Sequence, residues 1–150
     1  MTTPVNTILC PVDFSAASEE AARYAVQLAG SLGASRLAFL HVFQRPIGPA
    51  IEVASTFIDA QAEVAIKEHL RRELEGLAKR HSAHGVEVEA SLLEGIPYAT
   101  IVEQAEAIEA DLLVMATHGR TGLSHLLLGS VAEKVVRTST VPVCTVRVKD

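Results

Sequence analysis

Apolar residues along this chain fall into short β-branched runs separated by longer amphipathic stretches, and the two patterns alternate from end to end. Val5 to Val12 reads as a first strand. "AASEEAARYAVQLAGSLG" follows with helical spacing, Ser15 suiting its N-cap and Gly33 its C-terminal stop. Residues 35–43, "SRLAFLHVF", predict a second strand. The Pro and Gly of "QRPIGPAIEVAS" then break regular structure before a long helix running from about Thr56 to His81. That helix carries Glu63 with Lys67 at i,i+4, which marks a solvated face.

Residues 86–93, "VEVEASLL", alternate as a strand with one wetter face does, which places them at a sheet edge. Pro97 suits the first turn of a helix ending near Glu109. "DLLVMAT", residues 111–117, is apolar on successive positions, as in a parallel strand buried on both faces. A further helix is expected from Gly129 or Ser130 through "VAEKVVRTS", and "VPVCTVRV", residues 141–148, reads as a last strand.

Strands alternating with helices generate right-handed βαβ units, a parallel sheet covered on both faces. Two windings outward from a central first strand predict an open five-stranded sheet of order 3-2-1-4-5, a three-layer α/β sandwich of Rossmann or flavodoxin type. The first and fourth strands are then neighbours at the switch point, with "PVDFS" and "ATHGRTG" at their carboxyl ends, where ligands of such sheets bind.

Composition narrows the reading further. A chain of 150 residues with 49% hydrophobic content fits one domain, residues 1–150, with a sizeable core. A formal net charge of -5 argues against a general nucleic-acid binder. No apolar run approaches the ~20 residues of a membrane span, and the first residues lack the pattern of a secretory leader, so a cytoplasmic protein without a membrane partner is expected. Cys10 and Cys144 sit in apolar strand runs without metal-ligand spacing, which predicts buried free thiols and no metal site.

The segment "ATHGRTGLSHLLLGS", residues 116–130, holds three of the chain's nine glycines. A loop that returns to deliver a helix N-terminus presents unpaired N–H groups to one point and suits an anion. Gly119 and Gly122 are expected to supply positive φ and close approach, and Gly129 to leave the helix start open to a phosphate, with Ser130 adding a hydroxyl. Arg120 either brings charge to that point or faces solvent. Neither GxxxxGK[ST] nor a GxGxxG after the first strand occurs.

These residues resemble the universal stress protein A-like domains. Their ATP-binding members carry a glycine, two residues, a glycine, nine residues, then Gly-Ser or Gly-Thr. Gly119 and Gly129-Ser130 match, while the first motif glycine falls on Ala116. "ILCPVDFS", "LHV" and "THGRTGLSHLLLGSVAEKVVRTSTVPVCTVR" spread the similarity over nearly the whole chain.

The resemblance implies that Asp13 and the Val42 backbone serve the adenosine end of ATP, with Pro11 and Val12 shaping that wall. It places Met115, Ala116, His118, Gly119 and Arg120 along the path from ribose to phosphates, and Gly129, Ser130 and Val131 at the phosphates. Asp13 has a second reading, as a turn-forming residue that braces the next helix. His41 reads as a polar strand terminus, and core packing competes for Met115.

No base or nucleophile with an orienting partner is assembled by the sequence, so nucleotide binding in a stress-response regulator is better supported than turnover. Mg²⁺ is the ion a triphosphate brings with it, though no protein ligands for it are readable. Two other readings stand beside this one: a nucleotide-free interaction or chaperone-like module, and a slow ATPase. The apolar, β-branched run Val141 to Val148 at a sheet edge predicts a homodimer through the last strand, as the resemblance also implies. The segment from Gln44 to Ser55 is a candidate lid.

Overall fold

A computed structural model of the protein describes residues 3–45, 60–119 and 128–148. Within these the chain runs β1 (Thr7–Pro11), α1 (Ala16–Leu32), β2 (Arg36–Phe43), α2 (Ala60–Arg80), β3 (Glu87–Glu94), α3 (Pro97–Ala107), β4 (Leu112–Ala116), α4 (Ser130–Thr138) and β5 (Val143–Val146). The five strands form one sheet of order β3-β2-β1-β4-β5, every neighbouring pair parallel. This is the expected doubly wound order. The proposed lid falls largely outside the described residues.

The ends of α1 show how local chemistry sets an element. Ser15 caps the helix by accepting from the Ser18 N–H at 3.1 Å, and Gly33 ends it in the left-handed conformation at φ 69°. Alanines at 17, 21, 22, 25 and 29 make its buried face, so the helix lies close on the sheet.

Two layers of core follow from the alternation of strand residues. On one face Ile8, Cys10, Leu37, Phe39 and Val114 pack with α1 and α2. On the other, Leu9, Leu40, Leu113 and Met115 pack with Ile101 and Ala105 of α3 and with Ala132 and Val135 of α4. β1 is buried at every position, as a central strand between two helical layers must be. At the amino end of the sheet, Asp111 Oδ2 accepts from the Asn6 and Thr7 N–H groups at 2.8 and 2.9 Å, fastening the start of β1 to the start of β4.

The thiol expectation holds for Cys10, which is fully buried and whose pKa burial pushes far above the ordinary thiol value. Cys144 departs from it. As part of the edge strand β5, it is covered by α1 on one side only and is half-buried.

Candidate functional site

β1 and β4 lie side by side, yet their chains leave in opposite directions. After β1 the chain turns to α1 on one face, and after β4 it reaches α4 on the other. A crevice must open between the two departures. It is a cavity of about 490 Å³, lined by Pro11, Val12, Asp13, Ser18, Leu40, His41, Val42, Pro97, Ile101, Met115, Ala116, His118, Gly119, Leu128, Gly129, Ser130, Val131 and Ala132. The sequence-derived site residues all line it except Arg120, which lies outside the described residues.

The β1–α1 turn is built around Asp13. Its Oδ1 accepts from the Ser15 N–H at 3.0 Å, and its own N–H donates to Ser18 Oγ at 3.3 Å. Phe14 between them is left-handed at φ 63°, a conformation that side chains other than Asn and Asp rarely adopt. The turn-bracing role weighed for Asp13 is therefore present, and the same carboxylate lines the crevice.

One glycine expectation needs correction. Gly119 is not left-handed; the close approach it allows is that of Asp13, a Cβ there falling 2.2 Å from Asp13 Oδ2. Gly129 lines the crevice and also serves the chain: its N–H donates to Thr117 O at 2.6 Å, and a Cβ would sit 3.2 Å from both Thr117 O and His118 Cα. That bond ties the end of β4 to the start of α4. Gly122 lies outside the described residues.

Ala116, which the resemblance aligned with a motif glycine, places its methyl in a small cluster with Ala17 and Ala21 of α1. Strand alternation turns Met115 to the α3 and α4 face and Ala116 to the α1 face. The extra methyl is thus absorbed by helix packing.

Ser130 and Val131, in the first turn of α4, border the cavity. The first N–H groups of a helix have no intrahelical acceptor and carry its positive end, so this rim favours an anion. The walls from Pro11, Leu40, Ile101, Met115 and Ala132 are apolar and suit a flat heterocycle. His118 Nδ1 lies 3.1 Å from its neighbour's Thr117 Oγ1. Among the described residues no group of three His, Cys, Asp or Glu side chains is placed to hold a metal ion.

Sequence reasoning missed Ser18, Leu40, His41, Pro97, Ile101, Leu128 and Ala132 as lining residues. Ile101 and Ala132 carried only the helical periodicity of core positions, and His41 was read as a strand terminus. It lies inside β2, with Nδ1 2.7 Å from Val12 O and its ring centroid 4.8 Å from that of Phe14.

Fold and crevice together define an open α/β domain with a cavity at the switch point between two central strands. The sequence profile of the universal stress protein family matches residues 4–147, and the chain belongs to that family. It is 38% identical over 141 residues to universal stress protein MJ0531 of Methanocaldococcus jannaschii, an alignment covering 93% of this chain and 81% of that one. Universal stress protein MJ0577 of the same organism is 30% identical, covering 100% of this chain and 99% of the relative. The solved MJ0577 structure superposes with a TM-score of 0.83 over 99% of both chains. A universal stress protein solved in complex with cAMP is 28% identical, with a TM-score of 0.65 over 96% of this chain and 98% of that one.

Proposed function

We propose that the crevice binds an adenine nucleotide, ATP with its accompanying Mg²⁺ in the first place, and that the chain acts as a nucleotide-responsive stress regulator. The observation that carries this reading is one of placement. Residues as far apart in sequence as Pro11 and Ser130, with Asp13, Val42, Met115 and Gly119 between them, line a single cavity. An apolar slot for a base lies in it beside a helix N-terminus suited to phosphate. The similarity to a universal stress protein in complex with cAMP supports the adenine end of the reading.

Binding energy at such a site stabilises the ligand-bound fold by mass action and shifts the populations of its conformations, which is what a regulator requires. The same proposal includes a homodimer. β5 is an outer strand of the sheet, and its half-buried Val143 and Val146 suit an edge covered by a second copy.

The test is calorimetric titration of ATP with Mg²⁺ into nucleotide-stripped protein, beside Ser130→Asp. A carboxylate in the first turn suits the helix and keeps the fold, while it repels phosphate. Saturable binding that weakens at least tenfold in the variant supports the reading; absence of binding in the parent overturns it.

A further inference from the structure

In a parallel ladder, alternate residues of a strand bond to the neighbour on one side and the residues between them bond to the other. β2 follows this rule. Leu40 O accepts from Val12 N–H at 2.8 Å, so Leu40 and Val42 direct their backbone groups toward β1. Phe43 O accepts from Gly95 N–H at 3.0 Å, so Phe43 and His41 direct theirs toward β3. The next rung after Val12 N–H to Leu40 O would run from Val42 N–H to Val12 O.

That rung is replaced. Val12 O lies 2.7 Å from the Nδ1 of His41, and since a carbonyl only accepts, Nδ1 carries the hydrogen and donates it. The ring is held by Phe14, whose centroid is 4.8 Å away, and Phe14 is the left-handed residue where the chain swings off toward α1. Among the described residues the Val42 N–H has no ladder partner on the β1 side. It belongs to a half-buried residue that lines the crevice.

We infer that His41 is a positioning residue: by donating to Val12 O it ends the β1–β2 ladder one rung early and leaves the Val42 N–H to an acceptor atom of the ligand. A ring nitrogen of a heteroaromatic base fits that donor. The inference rests on the nucleotide reading above and explains a feature that reading does not require. A histidine inside β2 thereby sets how far the β1–β2 pairing runs.

The experiment uses isotope-labelled protein and through-hydrogen-bond coupling between the Val42 amide nitrogen and the Val12 carbonyl carbon, with calorimetric titration of adenosine and of tripolyphosphate. In the unliganded parent the coupling is absent. In His41→Leu, with Val12 O vacated, it appears. Adenosine affinity then falls about tenfold, the upper range for one hydrogen bond, while tripolyphosphate affinity stays unchanged. His41→Asn keeps a donor near the Nδ1 position and recovers most of the adenosine affinity.

A Val42–Val12 coupling in the parent would overturn the inference without any variant, so poor folding of His41→Leu leaves it testable. Undiminished adenosine affinity in a folded His41→Leu would overturn it as well. Failure of the parent to bind adenosine or ATP would instead remove the nucleotide reading, with the coupling still reporting on the ladder.

Discussion

Gly119 and Asp13 meet across the junction of β4 and β1 so closely that a Cβ at 119 would stand 2.2 Å from Asp13 Oδ2 and 3.4 Å from its Cγ. The carboxylate has little room to retreat, because its other oxygen accepts from the Ser15 N–H at 3.0 Å. One glycine thus lets the ends of two central strands close around a single acid.

Gly119→Ala forces that acid to give up its turn bond or to shift into the crevice. Overpacking of this kind costs about 1–3 kcal/mol. We expect a loss of stability near the lower end in urea unfolding, together with weakened adenosine binding by calorimetry. An unchanged affinity would show that Asp13 does not contact the adenosine end.

Gly129→Ala meets backbone on both sides, Thr117 O and His118 Cα, each at 3.2 Å from the added carbon. Neither neighbour can rotate away as a side chain would. The start of α4 must move, and the expected result is a lower Tm with reduced protection of the first α4 amides in hydrogen exchange.

Asp111→Ala removes the acceptor shared by the Asn6 and Thr7 N–H groups. Thr7 is buried, so its donor is left without water as a substitute. A cost of about 2–3 kcal/mol follows for loss of a charged acceptor, read by urea unfolding, with Asp111→Asn intermediate.

Glu19 makes stability depend on pH. Its partial burial would raise its pKa, but hydrogen bonds from His81, at 2.6 Å, and from Arg80, at 3.4 Å, with their charges, outweigh that and hold it below the ordinary carboxylate value. A lowered folded pKa gives stability that is fully present above the unfolded value and is lost as pH falls through the folded one. Glu19→Gln is therefore expected to be less stable than the parent near neutral pH. The difference should shrink as pH drops below the carboxylate range, as followed by urea midpoints across that range. A constant difference would contradict the assignment.

β5 offers an equally specific test of dimerisation. Pro142 O and Val146 O accept from β4 and its extension, through Leu113 and Thr117 N–H, so the Thr145 N–H faces away from β4. Thr145→Pro removes that outward donor while leaving the β4 rungs in place. Sedimentation should show a dimer for the parent and a weaker association for the variant; a parent that sediments as a monomer at micromolar concentration would contradict the proposal.

Sequence alone made the fold legible because its signals are local. Ser15 and Gly33 bracket α1 through their own capping chemistry, and the short unbroken apolar run 112–115, set between helical stretches, fits a strand covered on both faces. The strand order followed from handedness, and the site from the order. What stayed hidden depends on contacts between distant residues. The need for glycine at 119 comes from Asp13, over a hundred positions earlier, and the methyl of Ala116 finds its place only against Ala17 and Ala21. The role of His41 requires knowing that β1 stops at Pro11, beside it. Half-exposed Cys144 was misjudged because an apolar run looks the same at a sheet edge as at its centre.

The central claim, an adenine nucleotide in the crevice between β1 and β4, is tested most directly by amide NMR spectra of nucleotide-stripped protein titrated with ATP and Mg²⁺. The account predicts saturable shifts at Val42, Gly119, Ser130 and Val131, with the amides of β3 from Glu87 to Ala90 unmoved. Shifts confined to other surfaces, or none at all, would contradict it.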